Sequence, residues 1–265
     1  MKKEIRIVDK KRGILQVTAF DERHYYFEAQ DKAGNPTYEF EPSVTWILSR
    51  GYPKGTSLTR WIAKNGWDEA EEIKMAAAAR GSRVHKAIET LLNGEQINIE
   101  DKFPSITDDT LKELNTEEWE AVLSFYRWYE ETKPETIATE FVVRNKEVGY
   151  AGTVDYLCKI DGIVYMIDFK TSQYVYPEHE LQLSAYRHAY SDPIEKMAVL
   201  QLGYKRNKMG YKFTEIEDDF SAFLAAHTIF KKEVGRQDPP RREYPILLKL
   251  TTASVGNKPE AKPAK

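Results

Sequence analysis

Asp155, Asp168 and Lys170 fall within one stretch, DYLCKIDGIVYMIDFKTS at 155–172, and together could hold a divalent cation beside an ammonium group. Carboxylates are the hard oxygen ligands such a cation prefers. Midway between the two aspartates lies Asp161-Gly162, flanked by β-branched and aromatic residues, which is the signature of a two-residue type I′ hairpin. That turn sets Ile160 against Ile163 and, in the same register, Asp155 against Asp168. Residues directly opposed on an antiparallel pair have Cβ atoms about 4.5–5.5 Å apart, where like charges repel. A cation between the carboxylates, with Lys170 on the same face, would offset the repulsion.

The elements that must position these groups are legible from periodicity. Along the hairpin, Val154, Tyr156, Cys158 and Ile160 align with Ile163, Tyr165, Ile167 and Phe169 as one apolar face, the expected core side. The other face carries Asp155, Asp168 and Lys170 with Leu157, Val164 and Met166, and Lys170 is expected across from Thr153. Upstream, residues 14–40 alternate as strands that turn at Ala33-Gly34-Asn35. Helices are expected from Ser43 as N-cap through Gly51, over 57–65, over 68–93 unless Gly81 bends or splits it, and over 119–130. Strands follow near 136–146, 149–160 and 163–170, then a helix over 177–190, strands near 196–204 and 211–217, and a helix over 220–234. This pattern reads as an α/β fold: a small mixed β-sheet flanked by helices, with an N-terminal β extension and a helical segment. The expected divisions are an N-terminal β extension at 1–40, a helical part at 41–135, a catalytic core at 136–250 and a disordered, Lys/Pro-rich tail at 251–265.

Composition excludes several classes. In 265 residues no run approaches the ~18 apolar residues of a membrane span, and the start lacks a signal-peptide core, so a soluble, cytoplasmic protein is expected, with no membrane partner. The single cysteine, Cys158, rules out an intrachain disulfide and cysteine-ligated zinc or iron–sulfur centres. A net charge of -3 lacks the global signature of a nucleic-acid binder, although basic residues cluster at 2–12, 205–208 and 231–242. GYPKGTS at 51–57 does not follow the order of a phosphate loop, so no ATPase is assigned.

GTVD at 152–155, IDFKTS at 167–172, ELQLSAY at 180–186 and RGSRVHKAIE at 80–89 resemble, in order and approximate spacing, the PD-(D/E)XK nuclease superfamily. PSVTWIL at 42–48 adds to the likeness. More narrowly the pattern is similar to the RecB-like exonuclease branch, with its Cas4-like and mitochondrial genome maintenance members, but without the cluster cysteines of the Cas4-like ones. The resemblance implies a restriction-endonuclease-like core and a Mg²⁺- or Mn²⁺-dependent deoxyribonuclease. Phosphodiester hydrolysis needs an activated water and charge stabilisation on phosphoryl oxygens, and carboxylate-bound cations provide both.

Asp155 and Asp168 are then metal ligands, with the Phe169 carbonyl a further one by resemblance. Lys170 would orient or help deprotonate the attacking water. By resemblance His85 reaches the metal from its helix, Glu140 matches an acidic position that helps build the site, and Gln182 and Tyr186, one helical turn apart, contact DNA. Glu89 shares a helix face with His85 and could orient its ring. Tyr174 and Tyr176 could stack on an unpaired base or cap the core, and Arg60-Trp61 has the same ambiguity. The expected activity is exonucleolytic digestion from DNA ends, with single strands preferred, in replication, recombination or repair. A replication or recombination protein is the expected partner, and a bacterial or phage-infected cell the expected setting. A flap or branched-DNA endonuclease on the same fold, and a non-catalytic nucleic-acid-binding module, are the alternatives.

Overall fold

The computed structural model describes residues 4–9, 14–19, 22–105 and 111–235. The expected tail at 251–265 and the basic residues of 236–242 lie outside the described residues, and of the basic side chains at 2–12 nothing is described. Four antiparallel strands open the chain: β1 (Glu4–Asp9), β2 (Ile14–Ala19), β3 (Glu22–Gln30) and β4 (Pro36–Pro42), in sequential order. Then come helices α1 (Val44–Gly51), α2 (Thr56–Asn65) and α3 (Trp67–Leu92), and a short ladder of β5 (Lys102–Phe103) with β6 (Lys112–Glu113). Helix α4 (Thr116–Thr132) leads into β7 (Glu135–Asn145), β8 (Tyr150–Ile160) and β9 (Ile163–Lys170). Helix α5 (Pro177–Arg187), β10 (Lys196–Leu202), β11 (Tyr211–Ile216) and α6 (Phe220–Glu233) complete the described elements.

The second sheet has the order β11-β10-β9-β8-β7 and is mixed, because β10 runs parallel to β9 and the remaining neighbours are antiparallel. Parallel neighbours need a crossover. Here α5 supplies it, and this sets the helix beside the end of β9. The β8–β9 turn is as expected: Asp161 and Gly162 both have positive φ, 51° and 83°, the type I′ requirement. The ladder pairs Tyr156 with Ile167 and Ile160 with Ile163, which is the register read from the sequence.

One expectation about this hairpin is corrected. Both of its faces are buried, not one. Tyr156, Cys158, Tyr165, Ile167 and Phe169 pack with α3 and α4 residues such as Ile88, Phe125 and Trp128. Leu157 and Met166 on the other face, joined by Val154, pack with Val44, Leu181, Leu183 and Phe223 of α1, α5 and α6. Helices on both sides of a sheet leave no wet face, so Asp155 and Asp168 on its inner strands are drawn into low-polarity surroundings.

Local chemistry accounts for the helices. Ser43 caps α1 by accepting the Trp46 N–H at 3.1 Å. Asn115 and Glu118 form a reciprocal capping box at the start of α4, and Glu118 also binds Arg83 of α3 in a buried ion pair. That pair locks α3 against α4. Helix α3 runs unbroken for 26 residues, roughly 39 Å at 1.5 Å per residue, so Gly81 does not split it. It passes the end of β9 closely: a Cβ at Gly81 would stand 3.7 Å from Thr171 Oγ1. No helix among the described residues is long and apolar enough to cross a membrane.

Candidate active site

The ladder between β8 and β9 stops at Tyr156 and Ile167, one step short of the two aspartates. In place of a main-chain partner, the Phe169 N–H donates to Asp155 Oδ2 at 2.7 Å. The carboxylate thus takes the place of a ladder partner at Phe169. His85 of α3 meets the carbonyl of the same residue, with Nε2 3.0 Å from Phe169 O. Its other nitrogen, Nδ1, lies 3.6 Å from Asp155 Oδ1 and 3.9 Å from Glu140 Oε1. His85, Glu140 and Asp155 offer ligand atoms all within 4.8 Å of one another.

Glu140 reaches this position through an unusual backbone. Its φ of 46° lies in the left-handed region, within strand β7. The flanking pairs Thr139–Tyr156 and Phe141–Val154 place it opposite Asp155. Positive φ in a non-glycine residue is strained, and such outliers concentrate at functional sites.

Asp168 stands beside this trio with partners of its own. Lys170 Nζ is 2.6 Å from its Oδ2, and Gln182 Nε2 donates to its Oδ1 at 2.8 Å. Apart from its ion-pair contact with Lys170 the buried Oδ2 has no further partner among the described residues. Gln182 also donates to the Tyr186 hydroxyl at 3.1 Å and lies 3.5 Å from Lys170 through Oε1. Three expectations change here. Asp155 and Asp168 are not the directly opposed ladder pair expected, because the β8–β9 pairing ends at Tyr156 and Ile167. The hairpin does not set Lys170 against Thr153 as ladder partners; Thr153 Oγ1 bonds the Tyr25 hydroxyl at 2.8 Å. Glu89 does not orient His85: its carboxylate pairs with Lys86 at 2.8 Å, and Phe169 O and Asp155 hold the ring.

Crowding of acids in a buried place governs their protonation. Desolvation opposes charge on His85, but Asp155 and Glu140 outweigh it and push its pKa up to about 9. Burial, reinforced by the Asp155 charge, pushes Glu140 up to about 7. Burial likewise raises Asp168 to about 6, against the pull of Lys170. Asp155 moves the other way: the His85 ring overcomes its desolvation and holds it ionised below the usual carboxylate range. The site is short of positive charge. Buried acids pushed up toward neutral pH and a histidine that carries a proton only because carboxylates surround it are what a hard divalent cation would relieve. The donor set of His85, Glu140 and Asp155 therefore fits such an ion, with Asp168 and the Phe169 carbonyl beside it.

The remaining residues singled out in the sequence fall around this centre. Tyr174 and Tyr176 do not cap the core; both are exposed in the loop after β9, and the Arg206 guanidinium lies 4.7 Å from the Tyr174 ring centre. Arg60 is exposed on α2 and makes no hydrogen bond or ion pair with the acidic residues among the described residues. Next to Thr171 and Ser172 opens a cleft of about 400 Å³ lined also by Arg80, Arg127, Lys205 and Lys208. Of these cations, Lys205 and Lys208 were flagged by their run in the sequence. Arg80 and Arg127 come from two helices, and no local signal joins them.

A family model of the PD-(D/E)XK nuclease superfamily matches residues 59–245, and the chain belongs to that superfamily. Its nucleases act on DNA with divalent metal ions, and the fold seen here is their restriction-endonuclease-like one. No curated protein matches the chain. Among solved structures, the crystal structure of SSO0001 is similar at 14% identity over 75% of this chain and 77% of that one, with a TM-score of 0.36.

Proposed function

We propose that this nuclease is a Mg²⁺- or Mn²⁺-dependent exonuclease of the RecB-like kind, which degrades DNA from its ends, favours single strands and serves replication, recombination or repair. The observation that carries the reading is the division of labour on one hairpin: Asp155 with His85 and Glu140 on one side, Asp168 with Lys170 and Gln182 on the other. A divalent cation held by Asp155, Asp168, Glu140, His85 and the Phe169 carbonyl would polarise a phosphoryl oxygen and lower the pKa of water.

Lys170, beside Asp168, would steady an attacking water and the negative charge that develops on the phosphoryl group. Gln182 fixes Asp168 and, through its Oε1, the neighbourhood of Lys170. The cleft beside Thr171 carries Arg127 and Lys208 as well as Arg80 and Lys205, which pair with Glu117, and could take a sugar–phosphate backbone; exposed Tyr174, backed by Arg206, suits stacking on an unpaired base. With no motor motif and no base-reading module in the sequence, action from a free end on an already open strand is the simplest use of this surface.

Digestion of end-labelled single- and double-stranded oligonucleotides with Mg²⁺, Mn²⁺ or chelator tests the reading, with Asp168→Asn as the inactive control. Single-stranded linear DNA is expected to be degraded and covalently closed single-stranded circles to survive. Cleavage of the circles would replace the exonuclease by an endonuclease.

A further inference from the structure

The N-terminal sheet brings a second strand to the acidic cluster. On β3, Phe27, Tyr25 and Arg23 alternate onto one face and step along the β7–β8 pair. Phe27 lies under the Arg144 guanidinium at 4.2 Å, and Arg144 is paired with Ala151. Two residues on, Tyr25 bonds Thr153, which is paired with Val142, and packs with Val142 and Ala151. The next step along β7 and β8 is Glu140 and Asp155, and the next along β3 is Arg23. Strands advance by about the same 3.3 Å per residue, so the guanidinium arrives level with the trio.

Arg23 is exposed, and it makes no hydrogen bond or ion pair among the described residues. Desolvation opposes its charge, while Tyr25, Tyr186, Glu140 and Asp155 all support it. It is thus a cation held in the field of the acids yet not consumed by them, unlike Lys170, which is engaged with Asp168. An arginine fork matches two phosphoryl oxygens at once.

We propose that Arg23 binds the non-bridging oxygens of the phosphodiester being cleaved, so that the N-terminal sheet completes the active site. This rests on the nuclease reading above. The test uses the full-length protein with Mg²⁺ and an end-labelled single-stranded oligonucleotide, comparing wild type, Arg23→Ala, Arg23→Lys and Tyr25→Phe. Arg23→Ala is expected to lower kcat/KM by about 10²–10³-fold, the usual range for losing one donor aimed at developing negative charge, with melting temperature unchanged. Arg23→Lys should recover part of the loss, since it keeps the charge without the fork. Tyr25→Phe, which loosens the sheet's bond to Thr153 but keeps the guanidinium, should stay near wild type.

Wild-type kcat/KM in Arg23→Ala overturns the proposal. So does tighter Mg²⁺ binding by that variant with unchanged turnover, the mark of a cation that only balances the acids. A loss of activity that falls equally on Arg23→Lys and Tyr25→Phe, in step with a lowered melting temperature, overturns it too. In each of those cases digestion that chelator and Asp168→Asn abolish would leave the nuclease reading standing, whereas a wild type that digests nothing overturns both.

Discussion

The ring of Tyr186 occupies the space where residue 152 would carry a side chain: a Cβ built on Gly152 would stand 2.2 Å from Tyr186 Cε1. The glycine of GTVD is therefore a seat for the tyrosine that Gln182 bonds, and Gln182 in turn holds Asp168. Gly152→Ala should drive the ring aside, destabilise the fold by about 1–3 kcal/mol as overpacked cores do, and cut nuclease activity beyond what the stability loss explains. Urea unfolding and turnover on the same preparation check both halves. Unaltered activity would show that the Tyr186–Gln182–Asp168 chain of contacts does not matter.

Asp168→Asn keeps an oxygen for the Gln182 donor but removes the charge. Digestion should fall by about 10²–10³-fold, by analogy with other single electrostatic groups, while the chain stays folded. Lys170→Met should reduce turnover by about 10²–10⁴-fold, the span of a general acid–base contribution. Circular dichroism and melting curves separate these losses from unfolding. A Lys170→Met protein as fast as wild type would remove the ammonium from the mechanism.

The pH response follows from His85. Its folded pKa, about 9, is above the ordinary 6.5, so its contribution to stability is complete below 6.5 and is lost as pH rises through 9. A cation at the site must displace that proton, so Mg²⁺ binding should release protons at pH 7 and tighten as pH climbs toward 9. Calorimetric titration in two buffers of different ionisation enthalpy counts the protons. His85→Asn should abolish most of the release; a wild type that releases none would contradict the placement of His85 among the ligands.

Tyr174 is exposed, so its loss should be silent in stability. Its removal should weaken binding of a single-stranded oligonucleotide by about 1–3 kcal/mol, the worth of one base stacked on an aromatic ring. Fluorescence anisotropy on Tyr174→Ala in the Asp168→Asn background isolates binding from cleavage. An unchanged Kd would send the strand along another path.

How much of this could be read from the residues depends on how local each cause is. The Asp161-Gly162 turn, the β8–β9 register as far as Tyr156 and Ile167, the Ser43 cap and the helix after β9 are written in a few neighbouring residues, and each was legible. The burial of both hairpin faces was not, because it comes in part from α1 and α6 closing over residues far away in the chain. Nor could spacing decide the partner of Glu89, which sits a turn from His85 yet pairs with Lys86 on its own surface. The contact of His85 with the Phe169 carbonyl joins residues 84 apart, and only the family pattern hinted at it. Arg23 gave no sign at all, being one polar residue in an alternating strand whose neighbours across the fold become known only when the two sheets meet.

The left-handed backbone at Glu140 sets a trap for anyone improving this protein. A glycine there would shed roughly 1–2 kcal/mol of conformational strain and give back only roughly 0.5–1 in chain entropy. Selection for heat resistance alone would therefore drift toward replacing the very carboxylate that sits against His85, yielding a hardier molecule with an empty trade. Any screen for robust variants of this enzyme has to score cleavage alongside survival.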